Sequence, residues 1–280
     1  MLHSSPFFLF IFSLAAISAC TPDVQDTLSP DVQPVVQAYL TPGQPISVQV
    51  TKQIPFVADT TGQGEPINGL TLSISTAGKA YTLRAMGNGT YVASPDLVVR
   101  TGPTYQLDFD YSGRHVSGST VIPTHPVSFS ADQTVVYRTA ITLGGGVGGF
   151  AGAGAQAATP VRLTWLNPIG DYYFVVVDNI EANPVEIITR PNGSNTQAAN
   201  RRFRSQPVQS DFTTIQAQSF QYFGRHRVVL FHLNPDYAAL YKQNSTSTQN
   251  ISTPPTTLTN GLGLFTGINT DTLYVNVKQQ

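Results

Sequence analysis

The stretch from Leu143 to Ala158 has residue types and a spacing that could bind a phosphate. Gly144, Gly146 and Gly149 match the pattern G-x-G-x-x-G, which in nucleotide enzymes opens a helix and lets the backbone approach a pyrophosphate. No helical pattern follows this stretch, because the next residues lead into another strand-like segment. We therefore predict a long flexible hairpin loop, whose one aromatic residue, Phe150, is a candidate contact for a partner.

Other candidate catalytic or metal-binding groups are few and scattered. His226 and His232 fall on one face of a predicted strand, but six residues of strand span about 20 Å, which is too far for one metal ion. Asp108 and Asp110 could form a carboxylate pair, yet they alternate with apolar residues, which favours a solvated sheet face. The chain has neither a G-x-S-x-G nor an H-E-x-x-H motif. The sequence predicts no catalytic residue, no bound metal and no cofactor.

Two basic segments are candidate binding surfaces. Arg190–Arg204 is polar, with three arginines in its last four positions. We predict a second long loop there, which is either solvated or faces an acidic partner. Gly224–Arg227 is a smaller basic cluster close to several aromatic residues. It could stack a carbohydrate or a peptide, or it could simply hold turn and edge residues.

The first residues of the chain predict a membrane anchor. The apolar core from Phe7 to Ile17 is too short to span a bilayer and has the length of a secretory signal. It ends in Ile17-Ser18-Ala19-Cys20, which resembles the lipobox of bacterial lipoproteins, although no lysine or arginine precedes the core. Cys20 is the only cysteine, and a lipid thioether would account for an unpaired cysteine in a secreted chain. We predict that residues 1–19 are a lipoprotein signal peptide and that Cys20 carries acyl chains such as palmitate.

The composition predicts an all-β protein. Of 280 residues only 11% are charged, whereas 41% are hydrophobic, with 23 glycines and 20 prolines. So many turn formers and so few charges are typical of short strands joined by tight turns. The net charge of -1 offers no electrostatic attraction for nucleic acid, and we expect no nucleic-acid partner.

The pattern along the chain predicts two antiparallel β-sandwich domains after a tether at residues 20–33. Residues 34–123 contain seven short strand patterns without a helix pattern, which is typical of an immunoglobulin-like sandwich. Pro123 and Pro126 mark the boundary, because proline cannot donate to a central ladder. Residues 124–280 form the second β-rich domain, with the glycine-rich loop at residues 143–158 inside it.

One short helix interrupts the second domain at about residues 235–243. Asn234 is a suitable N-cap and Pro235 suits the first helical position. Tyr237, Leu240 and Tyr241 form a narrow apolar stripe, and a helix this short must dock that stripe to be stable. We predict that it docks near Leu262–Phe265.

Several short motifs, taken in order, resemble a known family. The lipobox comes first, and the first domain contributes the segments Val35–Leu40, Val48–Thr51, Asn68–Leu72, Tyr81–Leu83, Gly89–Tyr91 and Gly102–Tyr105. The second contributes Asn234–Tyr237, a proline-containing loop and Asn260–Phe265. In this order they resemble the Bacteroidetes outer-membrane lipoprotein family of domain of unknown function 4249. The glycine-rich stretch has no counterpart in the family, and Leu264 stands where an aromatic residue is expected.

The resemblance implies an outer-membrane lipoprotein with an immunoglobulin-like or transthyretin-like first domain and no catalytic residues. Such proteins are thought to accompany TonB-dependent transporters, so a transporter of this kind is an expected partner. A structural or adhesive surface module with no transport role is the alternative, and a hydrolase is a minor one. Thr60, in Asp59-Thr60-Thr61, resembles the acceptor of Bacteroidetes O-glycosylation. The anchored chain could face either the periplasm or the cell surface.

Overall fold

In the described parts of the chain, short segments with apolar residues at every second position form strands. The computed structural model describes residues 33–54, 64–142, 159–189, 199–243 and 256–280. The strands are β1 (Pro34–Leu40), β2 (Ser47–Lys52), β3 (Ser73–Thr76), β4 (Lys79–Thr82), β5 (Arg84–Gly87), β6 (Thr90–Val92), β7 (Thr104–Tyr111), β8 (Arg114–Val121), β9 (Val127–Ala131), β10 (Val135–Arg138), β11 (Ile141–Thr142), β12 (Val161–Leu166), β13 (Tyr172–Asn179), β14 (Ile188–Thr189), β15 (Arg202–Arg204), β16 (Phe212–Ile215), β17 (Gly224–Leu233), β18 (Leu258–Thr259) and β19 (Leu262–Gln279). One 3-10 turn, Ala217–Ser219, and one helix, α1 (Pro235–Gln243), complete the elements described.

A large sheet runs through the molecule in the order β15-β13-β17-β19-β1-β2-β6-β5, and β10 also pairs with β19. Its β1, β2 and β6 strands share one apolar core with the five-stranded sheet β18-β8-β7-β3-β4. Alternate residues of β7, namely Tyr105, Leu107 and Phe109, are buried there. Two sheets that enclose a common core form a β-sandwich, which we call the first sandwich.

The other end of the large sheet encloses a second core. There β13, β17 and β19 share apolar contacts with the three-stranded sheet β16-β12-β9. β13 pairs with both β15 and β17 and is buried on both faces, as its near-continuous apolar sequence predicts. Helix α1 follows β17 of this second sandwich and is the one α-helix among the described residues, so the predicted all-β fold with a short helix at residues 235–243 is confirmed.

β19 is one continuous 18-residue strand. Its first part pairs with β1 in parallel, from Val35 opposite Leu262 to Leu40 opposite Gly267. Its second part pairs with β17 in the antiparallel sense and with β10 in parallel. The strands are therefore of mixed direction, because β10–β19, β11–β14 and β1–β19 are parallel where antiparallel sheets are predicted.

At the predicted domain boundary between Pro123 and Pro126, backbone carbonyls are hydrogen-bonded to side chains of strands that come later in the chain. The Asn269 side chain donates to the carbonyl of Pro123 over 2.9 Å, and Nδ1 of His232 lies 2.8 Å from the carbonyl of Thr124. Residues Gln33–Gln280 form one compact unit, in which β19 gives Phe265 to the first core and later residues to the second. The division at residues 123–124 stays a prediction.

Helix α1 begins at Pro235, and the Asn234 carbonyl accepts the amide of Ala238. The Asn234 side chain points back to the first sandwich, where its amide donates to Thr120 Oγ1 over 3.0 Å and to the Val121 carbonyl over 2.9 Å. Asn234 thus ties the helix start to β8. No helix among the described residues is long and apolar enough to cross a bilayer.

Candidate functional site

Four sequence-predicted features lie outside the described residues. They are Cys20, Thr60, Phe150 and the glycine pattern within residues 143–158. The predictions of lipidation, O-glycosylation and partner contact at these positions therefore stay predictions.

The two histidines of β17 lie on one buried face, as predicted, and each has local partners. Nδ1 of His226 is 3.1 Å from the Gly224 carbonyl, and burial lowers the pKa of this histidine. His232 lies 3.0 Å from an Asp171 carboxylate oxygen and stacks on Tyr173 at 4.5 Å between ring centres. Among the described residues, no group of three or more His, Cys, Asp or Glu could hold a metal ion.

Asp108 and Asp110 lie on the open face of β7, and an exposed histidine on β8 bridges them. Nδ1 of His115 is 3.0 Å from Asp110, and its Nε2 is 3.2 Å from Asp108. The hydrogen bonds to Asp110 and Asp108 raise the pKa of His115 above its ordinary value of 6.5. The carboxylates therefore form a surface charge cluster with the histidine.

We expect the His115 ring to titrate above pH 6.5. Asp110→Asn should lower the titration midpoint, because it removes the hydrogen bond that raises the pKa of His115 most. By linkage, the favourable contact is fully present below pH 6.5 and is lost as the pH rises through the raised pKa. Proton NMR of the ring measures the midpoint, with Asp96→Asn as a control at a distant exposed carboxylate. An unchanged midpoint in Asp110→Asn would show that the contact does not form in solution.

A cleft of about 490 Å³ opens on the face of the large sheet that points away from the second core. We call it the aromatic cleft. The described residues that line it are Tyr39, Phe174, Val176, Asn200, Arg202, Phe203, Arg204, Phe231, Tyr237 and Ile268. Phe174 and Phe231 are opposite each other on β13 and β17, and their rings stack at 4.7 Å. They form an apolar floor.

Helix α1 forms one wall of the aromatic cleft. The Tyr237 ring meets Tyr39 of β1 at 5.6 Å and the edge of Phe174 at 6.3 Å. The Tyr241 ring lies 6.0 Å from Phe174. Burial raises the pKa of Tyr237, so its phenol stays neutral at physiological pH. The helix thus docks over β13, β1 and β19, where the Thr266 hydroxyl, one residue beyond the predicted segment Leu262–Phe265, donates to Asp236 over 3.3 Å.

Two arginines of β15 form the rim of the aromatic cleft. Residues at i and i+2 share a face of a strand, so Arg202 and Arg204 point to the cleft side. Arg202 Nε lies 3.2 Å from Asp178, which also meets Arg227 at 3.0 Å. Arg204 lies over the Tyr241 ring at 4.9 Å and donates to its hydroxyl over 2.9 Å. The described lining contains these two arginines and no acidic residue.

The sequence indicates both basic segments, Arg190–Arg204 and Gly224–Arg227, but not that their arginines lie close together in the fold. Arg190–Arg204 is predicted to be a loop throughout, whereas residues 202–204 form an edge strand next to β13. Asp178 of β13 connects Arg202 to Arg227 of β17, which joins the two clusters on one face. The alternation Arg-Phe-Arg matches the two-residue period of a strand, but three residues are too few to predict one.

Comparisons with known proteins add a family and little else. A family model described as "Domain of unknown function (DUF4249)" matches residues 18–273. No curated protein matches the chain significantly. Among solved structures, a crystal structure of domains A168-A170 from titin is similar to this chain. The match covers 88% of this chain and 67% of the titin chain, with 11% sequence identity and a TM-score of 0.20. A TM-score so low carries no argument about this protein.

Proposed function

Because the chain belongs to the family of domain of unknown function 4249, we propose that it is a non-enzymatic binding protein of the cell envelope. In this proposal, acyl chains on Cys20 hold it at the outer membrane of a Bacteroidetes bacterium. There it serves as an accessory of a TonB-dependent transporter.

The aromatic cleft is the observation that supports binding over catalysis. Its described lining combines aromatic and aliphatic side chains with two arginines and one asparagine, and holds no serine, cysteine, histidine, lysine or carboxylate. A nucleophile with an adjacent base is the usual requirement for covalent catalysis. An apolar hollow with a few convergent polar groups is the usual form of a binding site.

Lipid anchoring is tested by Cys20→Ala. We expect this variant to leave the membrane fraction and to lose labelling by an alkyne-tagged palmitate, because Cys20 is the chain's only thiol and stable anchoring needs its acyl chains. Thr21→Ala, one residue beyond the lipobox, is the matched control and should behave as wild type. Continued labelling and membrane retention of Cys20→Ala would refute the anchor.

The transporter role is tested by affinity purification of the chain from its native membranes. We expect a TonB-dependent transporter to copurify in near-equal amount after mild detergent extraction. Recovery of the chain without a transporter would refute the accessory role. A surface module would then be the better description, provided that the chain still fractionates with the outer membrane.

A further inference from the structure

We propose that the aromatic cleft binds a small aromatic anion, with its ring system on the apolar floor and its anionic group at Arg202 and Arg204. The proposal rests on the binding role proposed above and adds the chemical class of the ligand. It needs neither the lipid anchor nor the transporter, so it can be tested separately from both.

The body of the ligand is inferred from the floor and walls of the cleft. A volume of about 490 Å³ falls within the usual range for small-molecule sites, roughly 300–1,000 Å³. Phe231 and Tyr39 remain partly open to solvent, and Tyr39 is 38% exposed. Aromatic rings favour offset or edge-on contact with other rings at about 4.5–7 Å between centres. A flat ring system could therefore contact both the floor and the Tyr39–Tyr237 wall.

The charge of the ligand is inferred from the rim. Arg202 and Arg204 are two residues apart on β15, which places their Cα atoms about 7 Å apart. Each guanidinium has five N–H donors in a planar fork. The contacts to Asp178 and to the Tyr241 hydroxyl each engage one nitrogen of a guanidinium. These contacts orient the arginines and leave donors for the bidentate geometry that carboxylates accept.

A small ligand fits this charge better than an acidic polymer does. Beyond the rim, the next arginines on the same face, Arg225 and Arg227, do not line the aromatic cleft. Arg225 lies over the Tyr274 ring at 4.0 Å, and Arg227 is 3.0 Å from Asp178. Among the described residues, the arginines that line the cleft are therefore Arg202 and Arg204.

The test compares two nearly isosteric probes, 2-naphthoate, which is anionic, and 2-naphthamide, which is neutral. Isothermal titration of the full chain in non-ionic detergent gives the Kd of each probe, with a protein-free blank. We expect the naphthoate to bind at least about tenfold more tightly, because charge-assisted hydrogen bonds are roughly twice as strong as neutral ones. Equal affinity for the two probes, or no binding of either, would overturn the proposal.

Two double variants locate the charge. Arg202→Gln with Arg204→Gln should weaken naphthoate binding to the level of the naphthamide and leave naphthamide binding within about twofold of wild type. Arg84→Gln with Arg100→Gln removes two exposed arginines elsewhere and should change neither Kd. If naphthoate affinity survives the first pair or falls in the second, the assignment to this rim is wrong.

A third variant locates the ring system. Tyr39→Ala opens the wall of the cleft and should weaken both probes by a similar factor, about threefold to tenfold, because it removes ring contact and no charge. Circular dichroism confirms that the variant is folded. Unchanged affinity for both probes would place the ring system elsewhere and refute the proposed pose. A negative result in these titrations leaves the Cys20 and copurification tests intact.

Discussion

Gly263→Ala is expected to destabilise the protein by about 4 kcal/mol or more, a loss in the exceptional range for one substitution. Gly263 lies opposite Val36 in the parallel pairing of β1 and β19. Its φ is +93°, and a Cβ at this position would lie 2.1 Å from the Val36 carbonyl oxygen. That oxygen belongs to the backbone of a fully buried strand residue and cannot rotate away. The two strands would have to separate.

Gly102→Ala is the matched control for this variant. Gly102 has a similar φ, +101°, but no heavy atom lies within 4 Å of the position that its Cβ would take. It should cost only the backbone strain, about 1–3 kcal/mol. Urea denaturation of both variants measures the difference. If Gly263→Ala costs no more than Gly102→Ala, the close approach of β1 and β19 is contradicted.

Tyr237→Ala is expected to cost about 3 kcal/mol, the lower end of the range for removing a large buried aromatic residue. Tyr237 is half-buried, and its ring contacts those of Tyr39, Phe174 and Tyr241. A nine-residue helix is not stable by itself in water, so its ordering depends on this docking. Hydrogen exchange at the amides of α1 should therefore accelerate, and the urea midpoint should fall.

Two further variants test whether the Tyr237 ring, rather than its hydroxyl or the loss of any tyrosine, accounts for the stability. Tyr237→Phe keeps the ring and loses the hydroxyl bond to Tyr241, so it should cost no more than about 1.5 kcal/mol. Tyr137→Ala makes the same truncation on β10, where the side chain is 55% exposed, and should cost about 1 kcal/mol or less. A Tyr237→Ala variant as stable as Tyr137→Ala would show that the helix is not held by this ring.

The same denaturation curves test the division into two domains. Independent domains would unfold in separate transitions, and Tyr237→Ala would shift only one of them. β19 contributes to both cores, and breaking it in one sandwich disturbs its pairing in the other. We therefore expect one transition that shifts as a whole.

The helix and the central strand could be predicted because their signals are local. Asn234 before Pro235 and the aromatic stripe at Tyr237 and Tyr241 specify a helix start and a helix face within a few residues. The apolar run of β13 likewise indicates a strand covered on both faces. The docking partners Phe174 and Tyr39 were not predicted, because they are distant from the helix in the chain.

The arginine rim of the aromatic cleft was still harder to predict from local sequence patterns. The sequence indicates arginines in two separate segments, and Arg202–Arg204 was predicted as loop because three residues are too few for a clear period. That strand pairs with β13, and Asp178 between the strands contacts both Arg202 and Arg227. No local pattern encodes a pairing between strands so far apart.

By itself, the sequence determined the all-β class, the short helix at residues 235–243 and the burial of alternate residues, since these follow from backbone propensity and two-residue or 3.6-residue periodicity. The tertiary structure alone decided that β19 is one strand shared by two cores, that β1 and β19 are parallel, and that the aromatic cleft exists. The physical reason is that sheet register and direction depend on partners far along the chain. Those partners are selected by packing. At Gly263, for example, the Val36 carbonyl approaches the backbone so closely that a residue with a Cβ would not fit.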